Sequence, residues 1–311
     1  MLKYVSMAVK IQLNVHDLNN ETVAGNVTDI RMMEFLDEEG NKKETPCVSG
    51  RMLKHWHYEG VRSLINEGRY SSLPLCAGCK VGEPIRPAEI KNGKITQISK
   101  SESDIISFCT ICDIHGYLIA QGATEGEQRG KSARRTSRAM FSWLIPVVDK
   151  ESISKQVIHN RVSSDPEAMM PFNKSYVSGI YGFVSALDIG RIGLVELNLS
   201  SQDPYAIDDN NCKERMKVAI EAYRYLISGQ IGASLSHAIP HWKPIEVLIC
   251  LSEEGPLPFC VSPVYSDYIP KTVGILPKST EIFYWGEEDT LGGVVKKNTI
   301  NEIFEEILNK I

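Results

Sequence analysis

Residues 49 to 60 (SGRMLKHWHYEG) concentrate side chains that could do chemistry, namely an arginine, a lysine, two histidines and two aromatic rings. A metal site, an acid–base centre and a nucleic-acid surface are the kinds of site that this composition allows. His55 and His57 are two positions apart, and on a helix such side chains point in nearly opposite directions. They therefore do not share a metal ion as an i, i+4 pair does. We expect His57 to follow Leu53 onto a buried helix face and His55 to lie at the surface.

The same segment is typical of a phosphate-binding helix start. Ser49 stands where a helix N-cap is expected, and the following residues include Arg51 and Lys54. Free backbone N–H groups and the helix dipole attract anions at this end, so we expect it to bind phosphate. Arg134 and Arg135 could extend such a site, although a solvated loop is the alternative for these two arginines.

Four of the eight cysteines are spaced as C-x2-C-x29-C-x2-C, at Cys76, Cys79, Cys109 and Cys112. Two cysteines two apart present both thiolates to one ion, and four thiolates close a tetrahedron around Zn²⁺. The spacing therefore predicts a structural zinc site with no open position for catalysis. The linker is longer than in a usual zinc ribbon, and cysteines that pack or act in redox chemistry are the alternative. His115, three residues beyond Cys112, could replace one ligand.

Composition excludes several classes of protein. The formal net charge is −5, from 34 basic and 39 acidic residues, so nucleic-acid binding has to come from a local basic surface. No apolar run reaches the ~18 residues of a membrane span, and the first segment is interrupted by polar residues, unlike a signal peptide. No phosphate-loop, dinucleotide, GxSxG or HExxH motif occurs. We predict a cytoplasmic protein whose solitary cysteines lie in the core, namely Cys47, Cys212, Cys250 and Cys260.

The elements that must position these groups are strands mixed with helices. Residues 5–15 alternate apolar and polar side chains, which predicts a strand with one buried face. Residues 68–130 lose this periodicity and contain the four spaced cysteines, so we interpret them as an insertion. The other predicted elements are a polar loop at 18–28, a hairpin turn at 37–41, strands at 137–148, 176–187, 245–251 and 281–285, and helices after Ser49, at 209–228 and after Thr299. Together they predict one α+β domain over residues 1–311.

Five segments together resemble a known family. They are SGRMLKHWH at 49–57, DIHGYL at 113–118, IHNRV at 158–162, SGIYGF at 178–183 and SGQIGASLSHAIP at 228–240. In order and spacing they are similar to the DevR-type Cascade backbone protein of archaeal type I-A CRISPR systems, in the repeat-associated RAMP superfamily. The resemblance implies a modified RNA-recognition-motif (ferredoxin-like) core with large insertions, described as palm, fingers and thumb. It also implies a non-catalytic subunit that binds guide RNA.

The resemblance implies an RNA-binding surface made from several segments. The start of the 49–57 segment would hold the RNA backbone beside the polar end of the first strand, and the glycine turn at 229–234 would lie nearby. With the two arginines considered above and the start of the thumb, the expected RNA-binding residues are Asn14, His16, Asn19, Ser49, Gly50, Arg51, Lys54, His55, Arg134, Arg135, His159, Asn160, Arg161, Met169, Gly229, Gly232, Ala233 and Ser234. Contacts to phosphate and sugar carry no sequence information, as a protein that accepts any spacer requires.

A thumb-like insertion is expected at residues 158–175. Met169 and Met170 within it suit an apolar wedge between bases, or packing against a neighbouring subunit. The resemblance implies that several copies line up along one guide RNA and present its spacer for pairing with target DNA. The expected partners are therefore guide RNA, target DNA through the guide, neighbouring copies of the chain and other Cascade subunits.

Two other functions stay open from the sequence. An endoribonuclease of the same superfamily, processing CRISPR repeat RNA, would use His55 or His57 as acid or base, since histidine titrates near neutral pH. A transcriptional regulator is suggested only by the family's historical name, and no helix-turn-helix pattern supports it.

Overall fold

In a computed structural model, the chain is organised around one large β-sheet. The structure describes residues 1–18, 20–24, 27–120, 132–147, 153–160, 171–196, 204–289 and 292–311. The strands are β1 Tyr4–His16, β2 Asn20–Ala24, β3 Val27–Ile30, β4 Met32–Leu36, β5 Lys42–Pro46, β6 Ala88–Lys91, β7 Lys94–Gln97, β8 Tyr117–Ala120, β9 Ser132–Arg135, β10 Ala139–Phe141, β11 Ile145–Pro146, β12 Ile153–Asn160, β13 Pro171–Leu187, β14 His241–Ser252, β15 Glu281–Trp285 and β16 Val295–Lys296. The helices are α1 Gly50–Asn66, α2 Ala77–Val81, α3 Glu102–Phe108, α4 Thr110–His115, α5 Asp209–Glu221, α6 Tyr223–Ile227, α7 Tyr268–Ile275 and α8 Ile300–Asn309.

Strand β1 lies at the centre of the sheet. Over the described residues the order is β16-β15-β14-β1-β13-β3-β2, and β10, β11 and β12 also pair with β13. β1 pairs antiparallel with both neighbours, so that Val5 lies opposite Leu187 of β13 and Leu251 of β14. A mixed α/β architecture with one dominant sheet confirms the predicted mixture of strands and helices.

Both faces of β1 are buried over most of its length, which corrects the expectation of one open face. On one face, Val5 belongs to a core that includes residues of α1, α5 and α8. On the other face, Ala8 packs in a second core with Tyr268 of α7. Lys10 also lies on this second face, where its charge is paired, since its Nζ lies 2.8 Å from Glu246 Oε2. The strand is therefore covered on both faces, and its polar residues become accessible only toward its C-terminal end.

Other predicted elements are present with changed bounds. The hairpin turn is confirmed between β4 and β5, where Gly40 has φ +82° and Asp37 Oδ1 accepts a hydrogen bond from Asn41 N at 2.7 Å. The predicted polar loop at 18–28 contains the paired strands β2 and β3 instead. The predicted strand at 137–148 is divided into β10 and β11, and the helix at 209–228 is divided into α5 and α6. In the described ranges, no helix has the length and hydropathy needed to cross a membrane.

The segment interpreted as an insertion contains α2, the β6–β7 hairpin, α3, α4 and β8. Its helix α4 carries Asp113, a carboxylate that is fully buried. This carboxylate accepts hydrogen bonds from Arg135 Nη2 at 2.5 Å, from Arg215 Nη1 at 2.9 Å and from the backbone N–H of Gly193 at 2.9 Å. One buried acid thus connects α4 to β9 and α5.

A second acid completes this buried network. Glu102 of α3 accepts from Arg135 Nη1 at 2.7 Å, and both side chains are almost completely buried. Removing one partner from a buried ion pair leaves an uncompensated charge, which costs more than the pair itself contributes. The network therefore makes the docking of α3 and α4 on the rest of the chain sensitive to any single charge in it.

We expect Asp113→Asn to lower the free energy of unfolding by about 3–5 kcal/mol, because Arg215 and Arg135 would keep their charges in the interior with one anion fewer. Chemical denaturation followed by circular dichroism measures this. Asp289→Asn is the matched control, since that side chain is 94% exposed and its pair with Lys296 lies at the surface; it should change stability by less than about 1 kcal/mol. Equal effects of the two substitutions would contradict the buried network.

Candidate nucleic-acid interface

Helix α1 begins as the sequence predicts. Ser49 is its N-cap, with extended backbone angles, and its Oγ accepts a hydrogen bond from Met52 N at 3.3 Å. Gly50 follows in close contact with the end of β10 and the residue after it, because an added Cβ would lie 2.7 Å from Phe141 O and 2.9 Å from Ser142 O. A side chain at position 50 would push the helix start away from this backbone. The cap and the glycine thus fix where the first turn of α1 projects.

The basic residues of this turn lie between two cavities. Arg51 and His55 are exposed, and Lys54 is partly buried between them. Arg51 and Lys54 line both a cavity of about 360 Å³, which also contains Arg86, and one of about 680 Å³, which also contains Arg31. The start of α1 therefore presents a concave basic surface on each side.

Three cations of the smaller cavity outnumber the one carboxylate, that of Glu83, that lines it. Within the described residues, Arg51, Lys54 and Arg86 make no ion pair with a carboxylate, and Glu83, which also lines the smaller cavity, is unpaired as well. Burial, and next the nearby guanidinium of Arg86, lower the pKa of Lys54 to about 8. An anion placed between these cations would relieve their mutual repulsion, which is the condition for a phosphate site.

The two histidines of the opening segment are separated as expected. His55 is exposed and its ring lies 6.2 Å from that of Tyr58 in a stacked arrangement. His57 is fully buried, and burial is the main cause that lowers its pKa to about 4. Tyr58 is buried too, and its hydroxyl donates to Cys79 O at 3.3 Å. His57 is therefore a core residue and not a surface acid or base.

The glycine turn at 229–234 contacts α1 and the end of β1. Trp56 Nε1 of α1 donates to Gly232 O at 2.8 Å, and Ala233 N donates to Leu18 O at 2.7 Å. Gly232 has φ +98°, and an added Cβ would lie 2.5 Å from Cε1 of His16. Only glycine fits this position without moving the neighbouring chain. Three segments that are far apart in sequence thus meet at the start of the predicted surface.

The remaining predicted residues at this junction have different exposures. His16 is fully buried and its Nδ1 accepts from Leu18 N at 2.9 Å, so it supports the junction from inside. Asn14 is half-buried on β1, opposite His241 of β14. Gly229 ends α6 with φ +77°, and Ser234, which is partly exposed, also has positive φ.

The paired arginines of the basic cluster are divided by the fold. Arg134 is exposed on β9. Arg135 points to the opposite side of the same strand, where its side chain is fully buried against Asp113 and Glu102. The expectation that Arg135 extends the phosphate site is therefore wrong, because alternation along β9 places its guanidinium inside the network of buried acids.

The start of the expected thumb forms a strand pair. Exposed residues of β12 pair with β13, and His159 opposes Phe172 with the two rings stacked 5.3 Å apart. His159 Nε2 also lies 3.2 Å from the hydroxyl of Tyr176, and Asn160 is exposed at the end of β12. The predicted RNA-binding residues Asn19, Arg161 and Met169, together with Met170, lie outside the described residues.

The four spaced cysteines form one cluster. Their sulfur atoms all lie within 4.8 Å of one another, and all four residues are fully buried. Cys76 and Cys109 are the N-caps of α2 and α4, and the Cys109 sulfur accepts from Cys112 N at 3.4 Å. Hydrogen bonds with the other thiols, led by Cys109, lower the pKa of Cys76. These cysteines could hold a metal ion.

His115 does not complete this cluster. Its Nε2 lies 3.0 Å from Nδ1 of His57, so the ring is turned toward α1. The suggestion that it replaces a cysteine ligand is therefore wrong, and the four thiols are sufficient for a tetrahedral ion. The solitary cysteines Cys47, Cys212, Cys250 and Cys260 are buried in the core as predicted.

Comparison with known proteins decides the family. Residues 7–273 match the sequence profile of the family described as CRISPR-associated negative auto-regulator DevR/Csa2. The chain belongs to the DevR/Csa2 family.

Relatives of this family align along nearly the whole chain. A CRISPR-associated protein Cas7/Cst2/DevR from Methanocaldococcus jannaschii is 28% identical over 99% of this chain and 98% of its own length. A CRISPR-associated aCascade subunit Cas7/Csa2 from Saccharolobus solfataricus is 25% identical over 88% of this chain and 87% of its own. A chain of a solved structure titled CRISPR RNA-guided surveillance complex, pre-nicking, has a TM-score of 0.59 at 11% identity and covers 99% of both chains, which shows a shared fold.

Sequence reasoning missed one cation of the basic surface in this DevR/Csa2-family chain. Arg86 lies in the 68–130 segment, 35 positions after Arg51, yet both line the smaller cavity. No local periodicity connects the two residues, because the contact depends on how the insertion docks against α1. In the sequence, only the proximity of Arg86 to the first cysteine pair could have indicated that it lies near this surface.

We expect affinity for oligoadenylate to fall severalfold between pH 7 and pH 9. Because the pKa of Lys54 is lowered to about 8, its charge is mostly present at pH 7 and mostly lost at pH 9, whereas phosphodiesters keep theirs. Fluorescence anisotropy at constant ionic strength measures the change. Lys54→Arg should flatten the pH dependence, and Lys94→Arg, at an exposed lysine outside both cavities, should leave it unchanged. A wild-type affinity that is constant between pH 7 and pH 9 would contradict the role of Lys54 as a phosphate contact.

Proposed function

We propose that this chain is a non-catalytic, guide-RNA-binding backbone subunit of a type I-A Cascade interference complex. The observation that carries the proposal is the basic surface at the capped start of α1, where Arg51 and Lys54 line two cavities and Arg86 lines the smaller one. Cations that hold phosphates without reading bases suit a protein that must accept any spacer. Membership of the DevR/Csa2 family supports the same function.

In this proposal several copies of the chain polymerise along the spacer and present it for pairing with target DNA. The printed names of a relative, an aCascade subunit, and of a structural neighbour, an RNA-guided surveillance complex, support assembly with guide RNA and other subunits. Residues 158–175 act as a thumb in this assembly, with Met169 as a base wedge or a contact to the next copy. Residues 68–130 act as an insertion on the palm.

The core of the palm is, in this proposal, a modified RNA-recognition (ferredoxin-like) fold. The order of the central strands supports it. Along the chain, the first of the four central strands is β1, the second is the β10/β11 pair, the third is β13 and the fourth is β14. Helix α1 follows the first strand, and α5 and α6 follow the third. Across the sheet the four strands lie in the order fourth, first, third, second, and their pairings are antiparallel. That is the arrangement expected of two βαβ halves with right-handed crossovers.

The proposed absence of catalysis follows from the positions of the histidines. The endoribonuclease alternative requires His55 or His57 at an accessible site with a second group to share the proton transfer. His57 is inside the core, and its two ring nitrogens are taken by His115 and Ala219 O. His55 is exposed beside Tyr58, among cations that suit phosphate holding rather than proton transfer.

We further propose that the cysteine cluster holds a structural Zn²⁺. Four buried thiolates suit this ion, and they leave no position open for water. The ion would fix the ends of α2 and α4, and through Tyr58 and Cys79 O it would hold the insertion against α1. Its role is therefore to shape the basic surface rather than to act on RNA.

We expect purified protein, prepared without chelator, to contain about one zinc per chain by elemental analysis, since four thiolates complete one tetrahedral site. Cys112→Ser should lose the metal and lower the unfolding temperature, because metal binding free energy adds to folding. Cys47→Ser, at a buried cysteine outside the cluster, should keep the metal. Wild-type protein with a stoichiometry near zero would remove the zinc proposal.

We expect binding to guide RNA to weaken steeply with salt, because phosphate contacts release counterions. Arg51→Gln and Lys54→Gln should each reduce the slope of log affinity against log salt by about 0.7. Lys94→Gln is the matched control and should leave the slope unchanged. Electron microscopy of the chain co-expressed with its guide RNA should show a curved or helical filament.

The outcomes that contradict this function are specific. Protein that stays monomeric with guide RNA and binds it without salt dependence would reject the backbone function. Cleavage of repeat RNA by the wild type, abolished in His55→Ala, would favour the endoribonuclease instead.

A further inference from the structure

The smaller cavity beside α1 is lined by a buried histidine as well as by cations. Its volume is about 360 Å³, and His115 lines it together with Arg51, Lys54 and Arg86. His115 is 2% exposed, and its Nδ1 has no hydrogen-bond partner in the part of the chain that the structure describes. Buried polar atoms are almost always paired, so an unpaired nitrogen in a side chain that lines a cavity points to a hydrogen-bond donor that the described chain does not supply.

The hydrogen bonds behind His115 decide which of its nitrogens carries hydrogen. The carbonyl of Ala219 accepts at 2.8 Å from His57 Nε2, which must therefore carry the hydrogen. Nδ1 of His57 then has a free lone pair and accepts at 3.0 Å from His115 Nε2. In the neutral ring this leaves Nδ1 of His115 as an acceptor. Burial, and next the neighbouring His57, hold the pKa of His115 well below its ordinary value, so the ring is neutral at pH 7.

The cysteine cluster holds another wall of this cavity. Gly78, inside the first cysteine pair, approaches the chain beyond α2 so closely that an added Cβ would lie 2.1 Å from Ile85 O. Tyr58 donates to Cys79 O, and the guanidinium of Arg86 lies 5.4 Å from the centre of the same tyrosine ring. Arg86 is therefore held at the cavity by packing of the insertion and by a cation–π contact.

The cavity thus offers three cations for an anion, against the single carboxylate of Glu83, and His115 offers one neutral acceptor for a hydrogen-bond donor. A phosphodiester at neutral pH has no donor, and the sugar of a DNA chain has none, whereas the ribose 2′-OH can donate. We propose that the cavity binds one ribonucleotide, with its phosphate on Arg51, Lys54 and Arg86 and its 2′-OH donating to His115 Nδ1. This inference rests on the proposed RNA binding and adds selection of RNA over DNA at one position.

The test compares guide RNA with the same strand carrying 2′-fluoro groups, which cannot donate a hydrogen bond. Affinities are measured by fluorescence anisotropy on the full chain as wild type, H115Q and H115N. Gln keeps a donor near the position of Nε2, toward His57, but removes Nδ1, whereas Asn keeps an acceptor near Nδ1. We expect wild type to prefer RNA, the preference to drop roughly threefold to tenfold in H115Q, as loss of one hydrogen bond predicts, and H115N to keep more of it. Arg51→Gln should weaken binding of both strands equally.

A preference for RNA that is unchanged in H115Q, while both strands still bind, would overturn the inference and leave the proposed function standing. A preference that changes with base sequence would assign Nδ1 to a base amino group, and would overturn it too. Wild-type protein that binds neither strand would reject the proposed function itself. If H115Q does not fold, the test uses the ring-nitrogen NMR resonances of wild-type protein labelled with ¹⁵N-histidine. The His115 Nδ1 signal should shift when RNA is added and not when the 2′-fluoro strand is added. The absence of a shift with RNA would overturn the inference.

Discussion

The buried carboxylate of Asp113 is the interaction on which the arrangement of this chain depends. It balances two guanidinium groups, those of Arg135 and Arg215, that the fold has removed from water. These arginines come from β9 and α5, so a single acid on α4 determines how the insertion docks on the helices that cover the main sheet. A charge network of this kind is costly to desolvate and tolerates few alternatives, which favours one docking geometry over others.

Docking of the insertion has consequences for the surface of α1. Helices α2 and α4 each contain one clustered cysteine and have another as N-cap, and α4 also carries His115, so the position of the insertion sets the far wall of the smaller cavity. The basic surface is therefore composite. Its cap and first cations come from α1, and Arg86 is held in place beside the cysteine cluster. The cysteine cluster of the insertion and the basic surface of α1 are thus parts of one arrangement.

Patterns that depend on neighbouring residues were predictable from the sequence. The cap at Ser49, the burial of His57 and the cap at Thr299 follow from short-range hydrogen bonding and helical periodicity, and the structure confirms them. Expectations failed where a distant partner intervened. Strand β1 was expected to have an open face, but α7 and the chain before it cover that face. Arg135 was expected at the surface, but Asp113 and Glu102 compensate its charge in the interior.

By itself, the sequence determined the kinds of chemistry available: a capped basic helix start, a set of four thiols with metal-binding spacing, and a mixture of strands and helices. It also carried the ordered motifs of the DevR/Csa2 family. Only the tertiary structure decided that Arg86 joins Arg51 and Lys54 and that His115 faces His57 instead of the thiols. It also decided that Nδ1 of His115 has no partner among the described residues. The physical reason is that these contacts join residues dozens of positions apart. Their formation depends on how whole elements pack, which no local pattern of side chains encodes.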